Sequence, residues 1–397
     1  MFLDRLLHTN PDLALAAVTL HQSGDVLANT YLLDLDAFRR NAAAIKAAAD
    51  AQGLSVYFMS KQFARNPDAC RTLLDAGIPA AVAVDLQDME ALVRNGVPVG
   101  HVGHLVQPHR GTEDAVIAAN PEVVTIFSMN AAERIAAAAR RAGREQDVLL
   151  RVTAPGDRFY PGHGGGFPLA EIVDVARAVD ALGGLRVAGV TTFPCLLFDQ
   201  DSKRVQPTPN FGTLREAADR LRAAGFGVRQ VNAPGTTSAS TMAMLKEGGA
   251  THVEPGNAFH GTAPQCLDPD APEVPAVVYV SEVSHVDGDR AYVYAAGYYA
   301  DKVRGDYQLT ALCGRDESIV GRRFAVEVAP DGAIHYFCML EVPPGADVRP
   351  GDTVVFCFRP QIFVTRARTR AVAGIASGQP RPLGIYDVEA RPVEGVA

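Results

Sequence analysis

The sequence predicts an α/β chain in which a (β/α)8 TIM barrel is followed by an all-β domain. Three observations predict it. Short β-branched runs alternate with Ala/Leu/Arg-rich stretches of helical period, these runs number eight, and after about Pro264 the helical period gives way to apolar/polar alternation between turns. The expected strands are Ser55–Lys61, Ala80–Asp85, Val102–Gln107, Val123–Ser128, Asp147–Thr153, Val187–Pro194, Val228–Gly235 and Thr251–Gly256. Seven helical stretches lie between them, including Leu86–Asn95, Asn130–Gly143, Leu169–Leu182, Thr213–Ala224 and Ser238–Glu247. No GxGxxG follows the first strand, so eight alternating units fit a closed barrel better than an open dinucleotide-binding sheet.

The N-terminal stretch MFLDRLLHTNPDLALAAVTL reads as a helix, because Asp4, Arg5 and Asp12 break its apolar residues into runs of about ten, short of the roughly 20 that span a bilayer. It lacks a basic start followed by a small-residue cleavage site, so a cytoplasmic protein without membrane attachment is expected. Next comes TYLLDLDAFRRNAAAIKAAAD, a strand and a helix ahead of the barrel; the strand either joins the barrel or crosses to the C-terminal sheet. The runs VPAVVYVSEVSHV, RAYVYAAGYY, RRFAVEVAPDG, AIHYFCMLEV and DTVVFCFRPQIFVT, with turns at Asp287-Gly288 and Asp331-Gly332, form the all-β part. The domain scheme is therefore a helical segment over 1–29, the barrel over 30–264 and a β-domain over 265–397, which the strand at 30–36 joins if it leaves the barrel.

With 397 residues, 48% hydrophobic and 21% charged, the chain has ample interior and is not disordered. Its 37 Lys+Arg against 45 Asp+Glu give a net charge of −8, which argues against a nucleic-acid partner. Six scattered cysteines without a CxxC pair write neither a zinc ribbon nor a disulfide framework, and reduced thiols are expected.

In a barrel the chemistry gathers at the C-terminal strand ends, which filters the candidates. Lys61 closes the first expected strand in SVYFMSKQFARNP, where an amine either snorkels out of the mouth or is desolvated enough to form a Schiff base. The seventh strand runs into NAPGTTSASTMAML: Gly235 permits close backbone approach, and Thr236, Thr237 and Ser238 offer hydroxyls at a helix start. Ser238 reads equally well as a simple N-cap. The eighth strand ends in THVEPGNAFHGT, with Glu254 near that cup and Gly256-Asn257 able to add backbone donors. A strand-one lysine, a strand-seven phosphate cup and a strand-eight carboxylate together suit pyridoxal 5'-phosphate: amine for the aldehyde, cup for the phosphate, carboxylate for the ring nitrogen.

On these residues the chain resembles the fold-type III pyridoxal-phosphate enzymes, the alanine racemase-like family, and within it the bacterial alanine racemase-like amino-acid racemase group. TYLLDLDAFRRNAAAIK with Asn41 is similar to the family's opening segment, FMSKQF to its cofactor-lysine strand, PGTTSAS to its phosphate loop and Pro255-Gly256 to its second phosphate-contacting turn. The resemblance spans about Thr30 to Gly374. It implies a head-to-tail homodimer acting on a small amino-acid substrate, in which the β-domain of one chain completes the barrel site of the other. Where alanine racemases place an arginine on the ring nitrogen this chain has Glu254, as the decarboxylase branch does; a carboxylate there keeps the nitrogen protonated and the ring a strong electron sink. Where they place a stacking histidine this chain presents Phe193. The metal-dependent lyases of the fold use a late His-x-Cys pair, and FRPQIFVT offers Gln361 and Phe363 instead, so no metal is expected.

A two-base racemase needs a second acid/base opposite the lysine, supplied in alanine racemases by a tyrosine of the partner chain. RAYVYAAGYYADK holds Tyr292, Tyr294, Tyr298 and Tyr299, and Tyr299, following the Ala-Gly turn, is the expected one. His101 and His104, three apart, are expected on alternating faces and so not on a shared metal. The HGGG stretch at His163–Gly166 lacks a GxSxG partner and reads as a mobile loop over the strand-five opening. Arg151 on strand five faces either the ring oxygen, a substrate carboxylate or a structural ion pair, and Cys313 reads as a buried cysteine. The expected function is an amino-acid racemase working through Lys61, Tyr299 and Glu254, with a decarboxylase or lyase of the same fold, or a non-catalytic cofactor carrier, as alternatives.

Overall fold

The computed structural model describes residues 1–299, 309–330 and 334–393. Eight parallel strands close a barrel: Ser55–Met59, Ala80–Ala83, Val99–Val102, Val123–Ile126, Gln146–Thr153, Leu185–Thr191, Gln230–Asn232 and His252–Val253. Each pairs with the next and the eighth pairs back to the first. Both faces of such strands are covered, which is why runs such as Ala80–Ala83 and Val123–Ile126 are apolar throughout and buried at every position. At Gly189 a side chain is excluded, since a Cβ would stand 1.7 Å from the Gln230 carbonyl oxygen on the neighbouring strand.

Strand ends differ from expectation at two places that matter. The first strand stops at Met59, and Lys61 opens a short 3-10 turn, Lys61–Phe63, after which Ala64 and Arg65 take φ of 52° and 53°. The third strand is Val99–Val102 rather than Val102–Gln107. Its register against Ala81–Ala83 and Val123–Val124 fixes it there, and Gly103, with φ of 81°, turns the chain out of the sheet. Between strands, Asp85 caps Leu86–Arg94 by accepting from the Asp88 amide, and Ser128 caps Met129–Arg141 through the Ala131 amide.

The chain divides into two compact units, one of residues 44–60 and 73–256 and the other of 1–43, 61–72 and 257–397. The second is built on a nine-stranded sheet in which Thr30–Asp34 runs antiparallel to Val277–Asp287 and parallel to Arg368–Ala373. That register decides the alternative left open by the sequence: this strand lies in the β-sheet. The single expected N-terminal helix is two, Phe2–Thr9 and Pro11–Gln22, because Pro11 has no N–H to continue the first and sits at the start of the second. Asn10 at the break donates to Asp34 Oδ2 at 2.9 Å and to the Pro275 carbonyl at 3.0 Å. Leu6, Leu13, Ala17 and Val18 of these helices pack on Val278, Val280, Leu312 and Val355 of the sheet.

Asp287 pairs with Arg290 across a tight turn in which Gly288 has φ of 59°, whereas the expected turn at Asp331-Gly332 lies outside the described residues. All six cysteines are buried and none forms a disulfide. No helix among the described residues is long and apolar enough to cross a membrane.

Candidate active site

Glu254 follows the eighth barrel strand and its side chain is fully buried. Its Oε1 accepts from His101 Nδ1 at 2.5 Å and from Asn232 Nδ2 at 2.6 Å. Its Oε2 lies 3.3 Å from His104 Nδ1 and accepts no hydrogen bond among the described residues. Burial opposes the charge, but the fields of His104 and His101 and the hydrogen bonds from His101 and Asn232 outweigh it and hold the carboxyl at about 2.

His101 and His104 therefore do not point to opposite faces. Their rings lie 5.6 Å apart, and one nitrogen from each, with a Glu254 oxygen, falls within a 4.8 Å cluster. Only His101 is in the strand; the turn at Gly103 redirects the chain so that His104 comes back over the same barrel interior. Phe193 lies beyond His104, with ring centroids 5.4 Å apart, and Tyr160 and His163 flank it at 5.7 Å and 6.1 Å.

In the turn after the seventh strand, Gly235 has φ of 124° and Thr236 φ of 46°. A Cβ at Gly235 would meet the Leu196 carbonyl oxygen at 3.0 Å, so the close approach needs glycine. The expected helix from Ser238 splits into a 3-10 turn, Ala239–Thr241, and Met242–Glu247. Ser238 is its N-cap: the Ser238 amide donates to Thr241 Oγ1 at 2.9 Å, and Ser238 Oγ lies 3.0 Å from Ser240 Oγ. Thr237 and Ser238 are buried. The Pro255-Gly256 turn is tied to the first strand by the Met59 amide, which donates to the Pro255 carbonyl at 2.9 Å.

Arg151 is fully buried, and its guanidinium turns to main-chain carbonyls. It donates to the main-chain carbonyls of His163 at 2.7 Å, Gly165 at 3.1 Å, His104 at 3.4 Å and Phe193 at 3.5 Å, and its guanidinium lies 4.8 Å from the Phe127 ring centre. Burial pushes its pKa down to about 10. The glycine stretch at His163–Gly166 is thus fastened to the fifth strand rather than loose, with Phe167 also paired to Val152. Arg151→Leu is expected to cost about 3 kcal/mol, since buried carbonyls lose their donors, and to make the 163–166 segment the first site of limited proteolysis; urea unfolding and peptide mapping measure both.

In the second unit, Lys61 is half-buried with Nζ 5.1 Å from the Phe363 ring centre, so the late segment presents an aromatic face to the amine. Asn257, with its amide oxygen turned to the guanidinium, accepts from Arg359 Nε at 3.1 Å and Nη2 at 3.3 Å. Tyr299 is 50% exposed on the single chain. Tyr292 instead stacks on His285 at 4.5 Å, and Tyr298 packs 4.9 Å from Phe358. Cys313 is buried in the strand Thr310–Gly314, and burial pushes its thiol up to about 12. Asn232, Thr125 and Arg359 escaped the sequence reading; the one available signal was Asn232 at the strand end just before Pro-Gly.

The donor set suits pyridoxal phosphate. A buried carboxylate oxygen without a hydrogen bond costs about 1–3 kcal/mol, and a protonated pyridine nitrogen is a donor that would satisfy it. Glycine and hydroxyl residues at a turn suit a phosphate.

Comparison with known proteins gives matches along nearly the whole chain. The family model "Alanine racemase, N-terminal domain" matches residues 33–264 and "YhfX-like, C-terminal domain" matches 278–381. The chain is 38% identical over 388 residues to the uncharacterized protein YhfX of Escherichia coli (strain K12), covering 98% of each. Among solved structures, D-threo-3-hydroxyaspartate dehydratase from Delftia sp. HT23 has a TM-score of 0.68 at 18% identity, covering 90% of this chain and 97% of that one. D-threonine aldolase from Filomicrobium marinum has a TM-score of 0.66 at 19% identity, covering 93% and 96%. Alanine racemase from Clostridium difficile 630 has a TM-score of 0.64 at 15% identity, covering 91% and 99%. At these identities the structural likeness establishes the fold.

Proposed function

The chain belongs to the alanine racemase-like family of pyridoxal-phosphate enzymes, and from that premise we propose that it is an amino-acid racemase interconverting L- and D-amino acids. The observation that carries the reading is the buried Glu254 carboxylate, with one oxygen saturated by His101 and Asn232 and the other accepting no hydrogen bond.

Bound pyridoxal phosphate supplies an electron sink that acidifies the substrate Cα–H. Lys61 Nζ would hold the cofactor and remove or return the substrate Cα proton on one face. The Tyr299 hydroxyl serves the other face; its exposure on the single chain supports its donation to a partner chain in a head-to-tail homodimer. Glu254 Oε2 would accept from the cofactor's ring nitrogen and hold the proton there. Phe193 would lie against the bound cofactor, and Gly235, Thr236, Thr237 and Ser238, with Gly256 and Asn257, would hold its phosphate. A cytoplasmic location completes the reading.

One observation favours a second reading: a carboxylate on the ring nitrogen also serves the decarboxylase branch. Products separate the two. Holo-protein incubated with a panel of L- and D-amino acids, including phosphonate analogues, is expected to generate the opposite enantiomer on chiral chromatography. Carbon dioxide or elimination products with no enantiomer formed would replace the racemase assignment. The large β-unit argues against a mere cofactor carrier, which has no need of a second sheet.

A further inference from the structure

Resting on the reading of Glu254 as the partner of the ring nitrogen, we infer that His101 and Thr125 are positioning residues that fix which oxygen of the Glu254 carboxylate faces the cofactor. The two oxygens are held differently. Oε1 takes two donors, His101 Nδ1 at 2.5 Å and Asn232 Nδ2 at 2.6 Å, while Oε2, with His104 Nδ1 3.3 Å away, accepts no hydrogen bond among the described residues. An ionised carboxylate oxygen can only accept, so His101 must carry its proton on Nδ1 in this pair. At the far side of the imidazole, Nε2 lies 2.6 Å from Thr125 Oγ1, whose hydroxyl is able to donate to it.

The chain Thr125, His101, Glu254, Asn232 crosses the barrel interior from the fourth and third strands to the eighth and seventh. Thr125, His101 and Asn232 are each 0% exposed, so no bulk water can replace a lost donor. Two donors arriving on one oxygen from opposite sides of the barrel stop the carboxylate from rotating, and Oε2 is left as the acceptor for the ring N–H. In this arrangement His101 and Thr125 act on the cofactor only through Glu254.

The test loads wild-type and variant holoenzymes with cofactor labelled with nitrogen-15 in the ring and reads the ring-nitrogen chemical shift at neutral pH, beside the Kd for pyridoxal phosphate. His101→Leu is expected to move the shift toward the unprotonated position and to weaken Kd by about 10-fold or more, the loss of a hydrogen bond to a charged group. His101→Asn places an amide N–H near the lost Nδ1 and is expected to restore the protonated shift, which a role in packing alone would not do. Thr125→Val, close in volume, is expected to weaken Kd by about 3-fold. Should the leucine variant not fold by circular dichroism, the asparagine and valine variants decide.

A leucine or valine variant with wild-type shift and Kd would overturn the inference. So would an asparagine variant as impaired as the leucine one, or a stoichiometric divalent metal in the purified enzyme that is lost with His101. Glu254→Gln separates the role of Glu254 from that of its positioning residues. An unaltered ring-nitrogen shift in that variant defeats the underlying assignment of Glu254, whereas a shift altered there but in none of the His101 or Thr125 variants defeats only the positioning role.

Discussion

Replacing Lys61 with alanine is expected to abolish the visible absorption of the lysine-bound cofactor and to lower turnover by at least about 10^3-fold, the scale of losing a positioned acid/base together with covalent attachment. The fold should survive. Lys61 is half-buried beside the Phe363 ring at 5.1 Å, outside the barrel strands, so the alanine variant should keep the wild-type circular dichroism spectrum. Borohydride reduction of wild-type holo-protein followed by peptide mapping should place the tag on Lys61. A tag on Lys46 or Lys246, or an unchanged spectrum in the alanine variant, would remove this lysine from the mechanism and leave the barrel untouched.

Glu254→Gln should affect both catalysis and the pH dependence of stability. Without the anion, nothing holds the ring proton, and turnover is expected to fall by about 10^2-fold or more. In cofactor-stripped protein the same carboxylate links folding to pH. Its folded-state pKa of about 2 lies below the unbound value of 4.5, so its ionised form stabilises the fold fully above pH 4.5 and loses that contribution as the pH falls toward 2. The linked energy is about 3 kcal/mol. Urea unfolding of wild type and Glu254→Gln should therefore differ most near neutrality and converge toward pH 2; a constant gap between the two curves would show that Glu254 is not ionised in the fold.

These effects concern residues that the sequence marks with unequal clarity. Lys61 and Glu254 stand just past short apolar runs, and strand ends are where a barrel exposes its working side chains, so local pattern suffices to nominate them. Local pattern misleads at the third strand. Val102 to Gln107 looks as strand-like as Val99 to Val102, and only pairing with both neighbours and the turn at Gly103 selects the earlier span. That three-residue offset hid the convergence of His101 and His104. The partners of Arg151 were hidden for a related reason: main-chain carbonyls leave no trace in side-chain identity, so an arginine fastening a loop reads like one awaiting an anion.

By itself, then, the sequence determined the alternation that builds a barrel, the change of texture that begins the β-sheet, and the residue types suited to an aldehyde, a phosphate and a pyridine nitrogen, because each depends on neighbours close in the chain. Tertiary structure alone decided that the strand at Thr30–Asp34 lies in the β-sheet, and that Glu254 is gripped by His101, 153 positions away. Hydrogen-bond register and barrel closure join residues across such separations, and no local propensity encodes which distant strand will supply the partner.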